Sequence, residues 1–455
     1  MDQPDTLRPR MAFAPEISAR IAASFAPLAL PDQPVHLLRR GGHVALLHRH
    51  NLRLRFLDAA DFAAQGPARA IAPLLGAWDA APPPRPAPER KVLQAVITSR
   101  CNLRCGYCTV FHLPQPALER DMDAATLARC LAWLEGMPPE KGLLILHGGE
   151  PLLAWETTRW LAERSPVHTV LFTNGLHLDA EKAAVLARLG VNVLVSLDGP
   201  PEVHDALRRT VGGQGSYAAG VRGLRQAQEA GCETGISLVI GPHNAAGLTE
   251  HVPWLLDTLA PASLGLNLPH YTRAYPRCTL DLDQVIGALQ ALLGLAMDRR
   301  LFLYPLAKFL RPLVQQRFKH HDCSALGEKI VVFPDGSRSN CISHTANALG
   351  PQDLDVWNDL LPTRHALCRA CPALGICGGG CLYDALHFSD GCAYDLRYCT
   401  LARRMLEFLV WDVHDRVGLE LPTPADLVPA YAPMGGRLPG RPAGLDLGIG
   451  HETDA

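Results

Sequence analysis

VLQAVITSRCNLRCGYC, residues 92–108, joins a run of β-branched and apolar residues to a loop bearing cysteines at 101, 105 and 108. Apolar runs of the same kind recur at 143–147 (LLILH), 168–173 (HTVLFT), 191–196 (VNVLVS), 234–240 (TGISLVI) and 263–268 (SLGLNL). Between them lie segments of helical period, such as AATLARCLAWLE, WETTRWLAER, DAEKAAVLARLG and SYAAGVRGLRQAQEAG. Ser216 suits a helix N-cap, and Gly190 and Gly231 suit helix C-terminal stops. Strand–helix–strand repetition implies a parallel sheet with right-handed crossovers. Short continuous apolar strands buried on both faces then give an α/β fold, a partial (β/α)6 barrel of TIM-like kind. Two further strands would be needed for a full eight-unit barrel, and the chain changes character first. LDQVIGALQALLGLAM and PLAKFLRPLVQQRF read as helices instead.

Composition sets the frame for the rest. The chain has 455 residues, 48% of them hydrophobic and 19% charged, which suits a globular protein of several domains. A net charge of −2 gives no electrostatic case for nucleic acid or an anionic membrane as partner. No uninterrupted apolar run reaches the ~18 residues of a membrane span, and the N-terminal stretch IAASFAPLALP is short and holds two prolines, unlike an export signal. A cytoplasmic location is therefore expected, where fourteen cysteines point to metal or catalysis rather than disulfides. The expected organisation is a small module at 1–80, a Pro-rich linker at 81–90, the barrel at 91–315, a cysteine-rich domain at 316–400, a helix at 401–420 and a disordered tail from 421. HVALLHRHNLRLRFL reads as a β-hairpin turning near His50-Asn51, with a helix-like DAADFAAQ after it.

Cys101, Cys105 and Cys108 follow the first barrel strand, where ligand-bearing loops of βα folds lie. Thiolates suit zinc, Cu(I) or iron–sulfur clusters. A structural zinc site is closed by four ligands, commonly from paired C-x2-C hooks, whereas C-x3-C-x2-C has no local fourth ligand. A cubane held by three cysteines leaves one iron open. On this motif the chain resembles the radical S-adenosylmethionine (radical SAM) superfamily. The resemblance implies a [4Fe-4S] cluster at the three cysteines and SAM on its open iron, cleaved to a 5′-deoxyadenosyl radical. Tyr107 matches the aromatic position that faces adenine. Gly148, Gly149 and Glu150, after the second strand, look like the motif contacting the methionyl amino group. Ser196 and Arg208 match residues that hold the SAM carboxylate, with Arg209 the adjacent alternative. Asp198 and His204 suit loop-ordering or function equally, and Thr173-Asn174-Gly175 reads as a turn capping the third strand.

A second array runs Cys323, Gly336, Cys341 and then CRACPALGICGGGC, with Cys368, Cys371, Cys377 and Cys381, and Cys399 beyond. The PDG turn at 334–336 favours a hairpin before Cys341. A zinc ribbon needs neither seven cysteines nor this order. The spacing is similar to the SPASM pattern of a radical SAM subgroup. That resemblance implies two auxiliary [4Fe-4S] clusters, an outer one at Cys368, Cys371, Cys377 and Cys399 and an inner one at Cys323, Cys341 and Cys381. The inner cluster's fourth ligand is Cys278, Cys392 or an open position. Cys130 and Cys232 read as small core residues.

SPASM proteins modify peptides and small proteins, so the resemblance implies a peptide substrate, with an external flavodoxin- or ferredoxin-like electron donor. The anaerobic sulfatase-maturating branch carries an aspartate after the second SPASM cysteine. Ile342 stands there, which disfavours formylglycine formation. Residues 1–80 suit either a leader-peptide-binding module working by strand addition or an extension packed on the barrel. Tyr383, Asp384, His344 and His387 lie near the auxiliary cysteines and could handle a proton. Two other functions stay open: a SPASM enzyme on a small molecule such as a tetrapyrrole or aminoglycoside precursor, and an iron–sulfur carrier or scaffold without catalysis.

Overall fold

The computed structural model describes residues 34–76, 78–86, 91–109, 120–270, 280–343, 359, 361–388 and 395–435. These fall into two compact units. One is drawn from 34–86, 308–323 and 359–431, the other from 91–307, 324–343 and 432–435.

In the first unit, β1 (Val35–Arg40), β2 (His43–His48) and β3 (Leu54–Asp58) form an antiparallel sheet in that order. The expected hairpin is β2–β3. β1 was not legible, because VHLLRR lacks the two-residue alternation that marks a half-buried strand. The helix Ala59–Gln65 follows directly. Val35, Val44, Leu46, Leu57, Phe62 and Leu74 pack into a core of their own. The long helix Leu396–Val417 starts earlier than the sequence suggested and so carries Cys399. Phe56 packs on its Trp411 and His414, with ring centroids 6.4 and 5.2 Å apart. The buried Arg55 guanidinium donates to Glu420 Oε1 at 2.8 Å.

The expectation of disorder from residue 421 is corrected as far as Gly435. Pro424–Tyr431 is a helix continued by a 3-10 turn at Ala432–Gly435. Asp426 accepts from both the backbone N–H and the hydroxyl of Thr423, while Leu427 and Tyr431 are buried. Composition alone hid this, because two well-placed apolar residues anchor a Pro- and Ala-rich segment. Residues 436–455 lie outside the described residues.

The second unit holds a nine-stranded, mainly parallel sheet. Its central strands are β4 (Val92–Thr98), β5 (Leu143–Gly148), β6 (His168–Thr173), β7 (Asn192–Ser196), β8 (Thr234–Val239) and β9 (Ser263–Asn267). All six were expected, within one residue at each end. The sheet goes further than expected: β10 (Phe302–Tyr304) pairs parallel with β9, and β11 (Lys329–Val332) pairs parallel with β4. Runs this short, one between two helices and one inside the cysteine-rich stretch, carry almost no periodic signal. β12 (Arg338–Ser339) returns antiparallel to β11 through the PDG turn, where Gly336 sits at φ 81°. The order runs β10-β9-β8-β7-β6-β5-β4-β11-β12, an open, TIM-like partial barrel.

Helix starts follow side-chain chemistry. Asp123, Asp179 and Asp281 each accept from backbone N–H groups in the first turn of the helix they precede, the usual N-cap arrangement. Ser216 precedes Tyr217–Glu229 as expected but makes no side-chain cap. Asp205 Oδ1 instead accepts from the Ser216 and Tyr217 N–H groups, at 2.7 and 2.9 Å, which frees the Ser216 hydroxyl for another contact.

Candidate active site

The loop after β4 is seated on the chain that follows the helix Pro201–Leu207. Arg104 N–H donates to Arg209 O at 2.8 Å, Gly106 N–H to Leu207 O at 3.1 Å and Val211 N–H to Asn102 O at 3.1 Å. Three loop residues, Asn102, Arg104 and Gly106, therefore share one frame with Arg208. Cys101, Cys105 and Cys108 line one cavity of about 320 Å3 at the C-terminal ends of the strands. Burial, with the neighbouring thiols adding to it, pushes the Cys101 thiol up to about 12 and raises that of Cys105. Three thiolates crowded here are unfavourable without a positive centre, since a metal is what deprotonates and holds them. The donor set thus fits an iron–sulfur cluster.

Gly148 and Gly149 touch the cysteine loop itself. A Cβ on Gly148 would lie 2.4 Å from Thr98 O, and one on Gly149 2.2 Å from Arg100 O. Gly148 also sits at φ 150°. Backbone bonds from Gly149 N–H to Thr98 O and from Glu150 N–H to Arg100 O, both 2.8 Å, complete the junction. This close packing is against the backbone that carries the cysteines. Both glycines also line the cavity.

Glu150 is 1% exposed. Its Oε1 accepts from the Thr173 hydroxyl at 2.7 Å and Leu152 N–H at 3.1 Å, and its Oε2 from Asn174 N–H at 2.7 Å. Burial raises its carboxyl pKa, and these donors hold the rise back. Thr173-Asn174-Gly175 therefore does more than end β6: it positions Glu150, and Asn174 Nδ2 reaches Asn102 Oδ1 in the cysteine loop at 2.7 Å.

Tyr107, Asp198, His204, Ser216 and Arg208 form one buried chain of contacts. The Tyr107 hydroxyl donates to Asp198 Oδ2 and accepts from Arg208 Nη1, the latter at 2.7 Å. Asp198 N–H faces His204 Nδ1 at 3.3 Å. An N–H can only donate, so Nδ1 is the acceptor and the His204 proton sits on Nε2. Nε2–H donates to Ser216 Oγ at 2.9 Å, and the Ser216 hydroxyl donates to Arg208 O at 2.7 Å. Burial and the nearby Arg208 charge lower the His204 pKa to about 3, so the imidazole stays neutral. Asp198 and His204 thus order the loop that aims Arg208.

Arg208 is buried, and among the described residues its Nε has no hydrogen-bond partner. Burial opposes its charge, yet Tyr107, Cys105 and Asp198 hold its pKa well above the ordinary value. An orphaned guanidinium N–H in a cavity wall is costly unless a ligand accepts from it. Arg209 points away: it is exposed, and its Nε donates to Asp205 O. Ser196 joins the cavity wall beside Ser237, its register partner on β8.

Sequence reasoning missed His147, Phe172, Ser237, Asn267 and His270, which also line the cavity. The available signal was position: each lies at or just beyond the C-terminal end of a parallel strand. It also missed His243, whose ring stacks on Tyr107 at 6.3 Å and 22°.

In the first unit, Cys368, Cys371, Cys377 and Cys399 converge. Burial and mutual repulsion raise the thiols of Cys368 and Cys399 well above the ordinary range and push Cys377 up to about 12. Gly378, Gly379 and Gly380 all have positive φ, 67°, 89° and 75°, which bends the chain sharply between Cys377 and Cys381. Gly379 N–H donates to Cys377 Sγ at 3.4 Å. Asp322, just before Cys323, gives its N–H to Gly378 O at 2.7 Å, and its carboxylate is held well below the ordinary range by Lys319 and Lys308 despite burial. Cys381 starts the turn into the helix Leu382–Phe388. Tyr383 and Asp384 are buried, Asp384 lying 3.6 Å from Arg397. Cys341 belongs to the second unit, directly after β12. Cys278, Cys392 and His344 lie outside the described residues, as does the side chain of His387. Cys130 and Cys232 are buried, as expected of core residues.

The Radical SAM superfamily profile matches residues 95–254. Fe-coproporphyrin III synthase of Methanosarcina barkeri is 30% identical over 171 residues, 36% of this chain and 39% of that protein. Pre-heme d1 synthase of Dinoroseobacter shibae is 32% identical over 162 residues, 34% and 37% of the respective chains. The chain thus spans about two-fifths of the length of these curated relatives. Among solved structures, anSMEcpe with bound AdoMet is similar with a TM-score of 0.58 at 18% identity, over 71% of this chain and 99% of that one. Streptococcus suis SuiB bound to S-adenosylmethionine has a TM-score of 0.51 at 16% identity, over 68% and 77%. At these identities the structures speak for the fold. No helix among the described residues is long and apolar enough to cross a membrane.

Proposed function

With residues 95–254 a radical SAM domain, we propose that this chain binds a [4Fe-4S] cluster at Cys101, Cys105 and Cys108, cleaves SAM there and modifies a peptide. The observation that carries the reading is the convergence of three thiols, the Glu150 carboxylate and the unpartnered Arg208 Nε–H on one cavity. When bound, the reduced cluster supplies the electron that splits SAM, and the resulting 5′-deoxyadenosyl radical takes a hydrogen atom from the substrate.

The chain's own residues account for the binding. Glu150 Oε2 accepts one hydrogen bond in the fold and has capacity for a ligand ammonium. Arg208 offers its Nε–H to a carboxylate, a pairing for which the guanidinium plane is suited. Gly149 N–H and Glu150 N–H tie Glu150 to the cysteine loop, and Arg104 N–H and Gly106 N–H tie the residues flanking Arg208 to the same loop, so backbone contacts fix the distance between amine and carboxylate sites. Tyr107 and Ser196 complete the wall against the rest of SAM. An electron enters from an external flavodoxin- or ferredoxin-like donor, and a further cluster sits at Cys368, Cys371, Cys377 and Cys399.

Two features favour a peptide. The fold resembles anSMEcpe, which was also solved with AdoMet and a peptide (TM-score 0.59, 18% identity). Among the described residues of the first unit β1 is an edge strand, whereas β3 already gives its Phe56 N–H to Glu420 O. Strand addition by a peptide leader would therefore use β1. A tetrapyrrole substrate is the second reading, favoured by the Fe-coproporphyrin III and pre-heme d1 synthases. The experiment is anaerobic turnover with deuterated peptides from short reading frames beside the gene, and in parallel with deuterated tetrapyrrole precursors. Deuterium carried from a peptide into 5′-deoxyadenosine supports the first reading. Transfer from the tetrapyrrole alone overturns it.

A further inference from the structure

The four converging cysteines of the first unit are faced by cations from two directions. Arg403, on Leu396–Val417, is 7% exposed, and its Nε donates to Cys371 Sγ at 3.4 Å. Its charge also acts on Cys368 and Cys399. Arg49 comes from the β2–β3 turn of the N-terminal module and interacts electrostatically with Cys371.

That turn is built into the cysteine loop. A Cβ on Gly375, between Cys371 and Cys377, would lie 2.7 Å from both Arg49 O and the Leu52 side chain. Gly375 O in turn accepts from Lys319 N–H at 2.8 Å. On the remaining side, Lys319 lies near Cys377, but its ammonium is engaged by Asp322, which offsets most of its field. Arg403 thus brings an N–H donor and a positive charge to the sulfur atoms, and Arg49 brings a second charge to Cys371.

We propose that Arg403 and Arg49 hold the reduction potential of an iron–sulfur cluster at Cys368, Cys371, Cys377 and Cys399 above the value that the thiolates alone would set, so that the N-terminal module tunes an electron site. The proposal rests on the auxiliary-cluster reading given above. A [4Fe-4S] core with four thiolates gains negative charge on reduction, so nearby cations and N–H···S bonds stabilise the reduced state more than the oxidised one. In a buried site the effect is weakly screened. A role for residues 34–58 in cluster electronics differs from leader binding and from passive packing, and the two arginines make it measurable without knowing the substrate.

The test is a potentiometric EPR titration of the full chain, anaerobically reconstituted with iron and sulfide, in a Cys101→Ala/Cys105→Ala/Cys108→Ala background. The signal lost in Cys377→Ala is the one to follow. Arg403→Met is expected to move its midpoint to more negative potential. Arg403→Lys recovers part of the shift by restoring charge without the N–H···S geometry, and Arg49→Met gives a smaller shift of the same sign. An unchanged midpoint in Arg403→Met at equal iron content overturns the proposal. If that variant takes up no cluster, Arg49→Met decides, with an unchanged midpoint again overturning it. If no signal in the parent depends on Cys377, the auxiliary-cluster reading itself fails, a different result from an unmoved midpoint.

Discussion

At the rim of the barrel, Cys101, Cys105 and Cys108 share a cavity with Glu150 and with a buried guanidinium N–H that has no partner among the described residues. In the first unit, Cys368, Cys371, Cys377 and Cys399 have one another, and the Nε–H of the buried Arg403 already faces a sulfur. The same ligand atom thus occupies two kinds of site. Three thiols with unspent polar groups beside them leave room and hydrogen-bonding capacity for a second ligand. Four thiols with N–H donors turned onto the sulfurs satisfy the site from within, as expected of a centre that moves electrons rather than binding substrate.

Breaking the first site should have the largest effect. Cys105→Ala is expected to reduce 5′-deoxyadenosine formation to background, while iron bound through the first unit's four cysteines persists; simultaneous loss of both would erase the distinction. Glu150→Gln comes next, because it removes a charge and turns an amide N–H2 toward donors. A charged hydrogen bond is worth about 1.5–3 kcal/mol, so SAM affinity by equilibrium dialysis should weaken about 10- to 100-fold. Arg208→Lys keeps the charge and loses the Nε–H. Roughly tenfold weaker SAM binding is expected, with the potential of the first unit's cluster unmoved.

Ser216→Ala is a finer probe. It cuts the link from His204 to Arg208 O but leaves the Asp205 cap in place. Leaving the buried His204 Nε2–H and Arg208 O unpaired costs about 1–3 kcal/mol, so Tm should fall by more than for a surface substitution and SAM Kd should rise a few-fold. The smallest contrast is in pH. His204 is held near 3, and His36 in the first unit and His147 in the second near 4, in each case chiefly by burial. In the unfolded chain all three titrate near 6.5. The unfolded state therefore binds more protons below that pH. Stability is fully present above pH 6.5 and falls as pH drops toward the folded values. Thermal unfolding of anaerobically purified protein should show a lower Tm at pH 5.5 than at pH 7.5; an equal or higher one would contradict the neutral, buried histidines.

Much of this was legible because periodic strands and fixed cysteine spacings are local signals. The six central strands and the ligand-bearing loop after Thr98 follow from pattern alone. Short elements were not legible: Phe302–Tyr304 and Lys329–Val332 are strands only because a neighbouring edge pairs with them. The same holds at the site. Glu150 and Arg208 announce themselves by charge, whereas Ser216 has the chemistry of a cap and Asp205 makes those bonds. The glycines at 148 and 149 line the cavity, but their tight packing on Thr98 and Arg100 is not written in the motif. Tertiary partners of this kind leave no mark on spacing.

The most direct test of the central claim is EPR of the dithionite-reduced, reconstituted chain with and without SAM, with 5′-deoxyadenosine measured in the same samples. Wild type should show a cluster signal changed by SAM, together with 5′-deoxyadenosine, and both should vanish in Cys105→Ala. Clusters whose signal ignores SAM, with no 5′-deoxyadenosine formed, would contradict the account.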